Sequence, residues 1–162
     1  TSNVPIMQQG SSQASTSGTS IDFTGLPTWI RRITVMFAGV STSGTSSIIF
    51  QLGTSSGPTT SGYVGGGVRF GTAAVAGSAY STGFGINIAA AADTFSGAIV
   101  ITSVGSNTWA AQGNFGCNTT SIAFTSAGHV PLSATLDRVR ITTVNGTDTF
   151  DAGTINILYE GY

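Results

Sequence analysis

The sequence predicts an all-β fold, an antiparallel β-sandwich of jelly-roll-like type, from three observations. Short stretches of alternating apolar and polar residues recur along the chain, and this alternation is the pattern of half-buried strands. Turn-forming residues separate these stretches at intervals of roughly 8–12 residues, a spacing typical of sandwiches and barrels. Helical periodicity is almost absent from the sequence, so we predict stacked sheets rather than helical layers.

The first 20 residues are small and polar and contain the pentapeptide TSGTS at residues 16–20. This composition predicts an N-terminal arm or linker over residues 1–20, with a short strand near Val4–Gln8. Patterned sequence begins at Ile21, and the sandwich domain is predicted to span residues 21–162. Pro27 interrupts the pattern early, because its ring fixes φ and removes a backbone donor.

The first long strand is predicted at Trp29–Val40, where Ile33, Val35 and Phe37 share one face. A second TSGTS follows at residues 42–46, and apolar residues alternate again in Ser47–Leu52. Two such strands joined by a short loop that contains glycine predict a β-hairpin.

The middle of the chain is rich in glycine and serine from residue 53 to residue 71. Ser106-Asn107 is predicted to be a turn between two strands, and Ser126–Pro131 a turn that holds the single histidine, His129. Strands are predicted around Val75 and at Phe84–Ile88, Ser96–Val104, Thr108–Phe115 and Thr119–Thr125.

The last segment, Leu136–Tyr162, has the pattern strand, turn, strand. Asn145-Gly146 supplies the residue types that tolerate positive φ, and apolar residues alternate again from Ile155 to Tyr159. We expect a closing hairpin whose apolar face is covered by a second layer.

Charged residues make up only 7% of the chain, where about 25% is usual for soluble domains. All five cations are arginines, and the formal net charge is −1. Weak self-repulsion favours association, so we expect the protein to work in an assembly. The same charge argues against nucleic-acid binding, which needs several cations on one face. No apolar run approaches the ~20 residues of a membrane span, so no membrane insertion is expected.

Candidate catalytic and metal sites are weak. His129 has no Gly-x-Ser-x-Gly element to work with, and Cys117 is the single cysteine, which we expect to be buried and structural. Asp148 and Asp151 flank a dipeptide and are the weak candidates for a cation site. Aspartates beside turn residues more often bond the local backbone. We therefore predict no enzyme activity and no cofactor.

Aromatic residues in loop-like sequence are the better candidates for ligand binding. Tyr63 and Tyr80 lie in stretches rich in glycine and serine, and Trp109 follows the Ser106-Asn107 turn. Flat rings with a polar edge suit sugar faces and protein contacts, although the same rings also fill cores and subunit interfaces. With His129, these three aromatics are the predicted ligand-binding residues.

Two blocks of sequence resemble a small β domain of the tail and tail-fibre proteins of tailed bacteriophages and prophages. They are IDFTGLPTWIRRITVMFAGVSTSGTS, at Ile21–Ser46, and LDRVRITTVNGTDTFDAGTINILYE, at Leu136–Glu160. SNTW at Ser106–Trp109 and TSGY at Thr60–Tyr63 also fit that pattern. The family has no catalytic residues that could be carried over to this chain.

The resemblance implies a virion protein on the surface of a phage particle, in its tail. It implies a homotrimeric β-sandwich near a fibre end, with itself, other tail proteins and a bacterial surface glycan or protein as partners. Two other functions remain open at this point. One is a capsid decoration or assembly protein without a host ligand, and the other, less favoured, is a depolymerase of surface polysaccharide.

Overall fold

A computed structural model of the chain describes residues 4–119 and 121–162. In this part of the chain, every strand belongs to one of two antiparallel sheets. The large sheet consists of β1 (Ile6–Gln9), β2 (Gln13–Ala14), β4 (Ile30–Thr42), β7 (Val64–Phe70), β8 (Val75–Tyr80), β10 (Phe95–Gly105), β11 (Thr108–Cys117), β12 (Ile122–Pro131) and β14 (Phe150–Gly161). The small sheet consists of β3 (Ser20–Phe23), β5 (Ile48–Thr54), β6 (Gly57–Pro58), β9 (Phe84–Ile86) and β13 (Arg138–Thr143).

The large sheet has the order β1-β14-β4-β10-β11-β12-β7-β8, with β2 also pairing with β14. The small sheet has the order β3-β13-β5-β6, with β9 also beside β5. The all-β, antiparallel prediction is therefore confirmed, and the two sheets form the layers of a sandwich. The predicted turn at Ser106-Asn107 is also confirmed, because it joins β10 to β11 as a hairpin.

The core lies between the two sheets and is centred on three phenylalanine rings. Phe37 and Phe115 come from the large sheet and Phe50 from the small one. Their ring centroids are 5.2 to 5.7 Å apart. Each lies on the buried side of an alternating strand or in a wholly buried one. Packed aromatic pairs of this kind stabilise a core beyond the area that they bury.

The predicted hairpin between the first two long strands is wrong. β4 pairs with β10 and β14 in the large sheet, whereas β5 pairs with β13, β6 and β9 in the small sheet. The chain crosses from one layer to the other through residues 43–47. All seven residues of β5 are buried, which suits the centre of a covered sheet and not a half-exposed hairpin partner.

The closing hairpin is wrong for the same reason. β13 lies in the small sheet and β14 in the large one, although the turn between them forms where it is predicted. The N–H of Gly146 donates to the carbonyl of Thr143 at 3.0 Å, and Gly146 has a φ of 67°. Both links cross the sandwich. β4 and β14 bury their apolar faces against the small sheet, and β5 and β13 bury theirs against the large sheet.

The predicted turn at Ser126–Pro131 is in fact the second half of β12. His129 lies within this strand and pairs with Ala110 of β11 and Val64 of β7. Gly128, in the same stretch, lies opposite Gly65, and a Cβ on Gly128 would lie 2.6 Å from the Cα of Gly65. Glycine is therefore present here for close strand packing rather than for a turn.

The N-terminal segment lies along the edge of the large sheet. The predicted short strand is present as β1, which pairs with β14. Ser15 is fully buried, and its hydroxyl donates to the carbonyl of Ala152 at 2.8 Å. Residues 6–10 and 13–15 are thus tied to β14 by strand pairing and hydrogen bonds. Residues 1–3 of the predicted arm lie outside the described residues.

Candidate ligand-binding site

Tyr63 and Tyr80 are both buried. Tyr63 lies in the connection before β7, as its loop-like sequence predicts, whereas Tyr80 is the last residue of β8 and not part of a loop. Tyr63 is 3% exposed, and its hydroxyl accepts the N–H of Leu52 at 2.7 Å. Tyr80 belongs to β8, is buried, and donates its hydroxyl to the Oγ of Ser47 at 3.1 Å. A Cβ on Gly85 would overlap the Tyr80 ring. Gly85 therefore leaves room for the buried Tyr80 ring.

Burial raises the pKa of the Tyr63 hydroxyl far above its ordinary value, and the hydrogen bond from Leu52 opposes this rise only in part. Because the pKa of Tyr63 is raised in the folded protein, the contribution of its neutral hydroxyl to the free energy of unfolding is complete below the unfolded pKa of about 10. This contribution is lost as pH rises above that value, since only the unfolded chain then ionises.

We expect Tyr63→Phe to lower the free energy of unfolding by about 1–3 kcal/mol at neutral pH, since the Leu52 N–H loses its acceptor. The variant should also lose less stability than the wild type between about pH 8 and about pH 10.5. Urea unfolding at both pH values measures this. Tyr162→Phe is the matched control, because Tyr162 is 58% exposed. An equal effect of both substitutions would contradict the buried hydroxyl.

The structure separates the remaining predicted residues. His129 is exposed on the outer face of the large sheet. Asp148 accepts the Ser46 N–H at 3.0 Å and the Asn145 side-chain amide at 2.7 Å, so it fastens a turn. Asp151 is exposed at the start of β14. Within residues 4–119 and 121–162, no three His, Cys, Asp or Glu side chains are grouped to hold a metal ion.

Trp109, the third predicted aromatic, lines a cavity. This cavity has a volume of about 240 Å³ and opens at the end of the sandwich where β4 and β13 begin and β10 turns into β11. The polar residues in its wall are Thr28, Arg31, Ser103, Asn107 and Thr135, and the apolar ones are Pro27, Ile30, Trp109 and Leu136. We refer to it as the Trp109 cavity. It is smaller than the roughly 300–1,000 Å³ of pockets for drug-sized ligands, which suits a ligand of about one sugar ring.

The tight turn between β10 and β11 forms one wall of the Trp109 cavity. Ser106 and Asn107 both have positive φ, 49° and 57°, as a two-residue hairpin turn requires. The carbonyl of Asn107 accepts the N–H of Leu132 at 2.9 Å, which ties the turn to the segment after β12. The backbone of Asn107 is therefore fixed where this residue lines the cavity.

The indole of Trp109 is the unusual feature of this wall. Trp109 is 5% exposed, and its indole N–H is buried without a hydrogen-bond partner in the described part of the chain. A buried donor without an acceptor costs about 1–3 kcal/mol, and such groups are rare in folded proteins. An acceptor that reaches Nε1 would remove that cost.

Arg31 brings a positive charge to the same cavity. Its Nη1 donates to the carbonyls of Ile30 at 2.9 Å and Thr28 at 3.4 Å, and its guanidinium lies 5.1 Å from the centre of the Tyr162 ring. The register of β4 against β14 shifts at Gly161, so the consecutive Arg31 and Arg32 are both exposed. This break in alternation was the sequence signal for Arg31, and our sequence analysis missed it.

The fold and the Trp109 cavity are the observations that bear on function. No protein-family model matches the chain, and no curated protein sequence does either. None of the described segments is a helix with the length and apolar character needed to cross a membrane.

Proposed function

We propose that this protein is a structural module of a bacteriophage tail fibre or tail tip that attaches the particle to the bacterial surface. The observation that carries the proposal is the Trp109 cavity, where a buried donor without an acceptor lies beside neutral polar groups and one cation. A rigid sandwich that presents a ligand site at one end is a common arrangement for recognition. We propose a binding role without catalysis.

The positions of the two phage-like blocks support the proposal. Ile21–Ser46 contains most of β3 and all of β4, and Leu136–Glu160 contains β13 and most of β14. β3 pairs with β13 in the small sheet, and β4 pairs with β14 in the large sheet. The resemblance therefore falls on one contiguous unit that spans both layers. Arg140 and Asp22 fasten this unit with two hydrogen bonds, of 2.7 and 3.0 Å.

The surface of the large sheet supports work in an assembly, with a homotrimer as our proposal for the assembled form. The outer face of its central strands carries the uncharged side chains Thr34, Met36, Ala98, Val100, Gln112 and Asn114. Phe70 and Val75 are exposed and lie opposite each other in the hairpin of β7 and β8. Apolar and uncharged surface of this kind favours contact with neighbouring subunits.

Binding of the fluorescently labelled protein to a panel of bacterial strains, measured by flow cytometry, tests the attachment role. We expect Asn107→Gly to weaken binding roughly two- to tenfold, as the loss of a neutral hydrogen bond would. Glycine tolerates the positive φ of this position, so the turn should survive the substitution. Ser106→Gly is the matched control, since Ser106 is in the same turn but does not line the cavity.

An equal loss of binding in both variants, or no strain that binds the wild type, would contradict the proposal. Antibody labelling in electron microscopy adds a second test. Labelling of phage tails is expected, and labelling of capsids would favour a decoration protein. Release of reducing ends from the polysaccharide of a bound strain would instead favour a depolymerase.

A further inference from the structure

The Trp109 cavity offers hydrogen-bond donors to a ligand and no negative charge. No aspartate or glutamate is among the described residues that line it. Arg31 is the one charged residue among the described residues of the lining. The bonds that its guanidinium makes to the carbonyls of Thr28 and Ile30 use Nη1 alone. An arginine has five N–H donors, so Nε and Nη2 can still serve an incoming acceptor.

Trp109, which lines the cavity, has a buried donor. Its Nε1 has no hydrogen-bond partner in the described chain. Indole nitrogen only donates, so an oxygen acceptor that reaches Nε1 would complete its hydrogen bonding. A carboxylate is acceptor-only and has two oxygens, so it can accept from the indole and from a guanidinium together.

We propose that the Trp109 cavity binds a carboxylate-bearing sugar, with Arg31 and Trp109 as the donors to the carboxylate. This inference rests on the proposed attachment function, because it names the chemical class of the ligand at that same site. The hydroxyls of Ser103, Thr28 and Thr135 and the amide of Asn107 both donate and accept, as sugar hydroxyls require.

The apolar part of the wall fits the same ligand. Pro27, Ile30 and Leu136 supply surface for the C–H faces of a sugar ring. A peptide with a free C-terminal carboxylate shares the charge of the ligand but offers fewer hydroxyls to this polar wall. The volume of about 240 Å³ also suits one ring better than an extended peptide.

Isothermal titration calorimetry at low ionic strength, with methyl glucuronoside and methyl glucoside as probes, tests the inference. The two probes differ in their carboxylate, and a hydrogen bond to a charged group predicts about tenfold or tighter binding of the glucuronoside. Arg31→Gln should reduce this preference to near unity. Arg32→Gln is the matched control, because Arg32 pairs with Glu160 at 3.4 Å and does not line the cavity.

Trp109→Phe keeps an aromatic ring and removes the N–H, and we expect it to weaken glucuronoside binding several-fold, in line with the loss of one charge-assisted bond. Circular dichroism melting verifies that each variant is folded. Acetate and N-acetyl-glycylglycine complete the set of probes. Both should bind more weakly than the glucuronoside, since they lack its ring hydroxyls.

The possible failures separate the ligand class from the attachment function. Equal binding of both glycosides, unchanged by Arg31→Gln, would overturn the carboxylate while the attachment role stands. Tighter binding of the peptide would overturn the sugar. If no glycoside binds although labelled protein still binds cells and depends on Asn107, the ligand class is wrong and the attachment function survives. If the labelled wild-type protein bound no strain, both the attachment function and the ligand class would be overturned.

Discussion

Phe50→Ala should lower the free energy of unfolding by about 3–5 kcal/mol, the cost usual for a buried phenylalanine. Phe50 comes from the small sheet and is fully buried. Its ring centroid lies 5.2 Å from that of Phe37 and 5.7 Å from that of Phe115, both in the large sheet. The substitution would therefore leave a cavity at the point where the two layers pack against each other.

Chemical denaturation by urea, followed by circular dichroism, measures this loss. Phe70→Ala is the matched control, because Phe70 is 49% exposed near the tip of the hairpin of β7 and β8. Surface substitutions usually change stability by no more than about 0.5 kcal/mol. If both variants lost the same free energy, the aromatic cluster would not be the contact between the layers.

Gly153→Ala is the second substitution for which we expect a large loss, of about 2–5 kcal/mol. This figure combines the strain of a left-handed residue, about 1–2 kcal/mol, with overpacking of about 1–3 kcal/mol. Gly153 has a φ of 94°, and a Cβ there would collide with the carbonyl oxygen of Gly39. Its own carbonyl accepts the N–H of Ser15, so the N-terminal arm should loosen as well.

Gly146→Ala separates the two contributions. Gly146 has a similar conformation, with a φ of 67°, but a Cβ there would meet no atom within 4 Å. We expect it to cost only the strain of about 1–2 kcal/mol. Hydrogen exchange at residues 6–15 should increase in Gly153→Ala and stay unchanged in Gly146→Ala. If the two variants lost the same free energy of unfolding, the close approach of β14 to β4 would add nothing to the loss in Gly153→Ala.

Most strands could be predicted from the sequence, but their partners could not. Alternation in Ile33, Val35 and Phe37 fixes which face of β4 is buried, because side chains point to opposite faces with a period of two. The pattern contains no information on whether the next strand pairs beside it or packs across from it. A next strand in the same sheet and a next strand in the opposite sheet are equally compatible with the apolar face. The crossings before β5 and β14 were therefore taken for hairpins.

The candidate site was predicted only in part, and the reasons are local. Trp109 and the turn before it were found, because Ser106-Asn107 is a turn signal beside an aromatic residue. Tyr80 was taken for a loop residue, since a glycine such as Gly85 can leave room for a buried ring as well as form a loop. Thr135 comes from a distant part of the chain, and only the folded chain places it in the wall of the cavity.

The most direct test of the Trp109 cavity as the attachment site is a ¹H–¹⁵N correlation spectrum of the tryptophan indoles during titration with methyl glucuronoside. The chain has two tryptophans, and Trp29, which packs 5.7 Å from the Tyr159 ring, does not line the cavity. We expect the Trp109 indole signal to move downfield and saturate while that of Trp29 stays in place. An unmoved Trp109 signal, or equal movement of both, would contradict a ligand site built around Trp109.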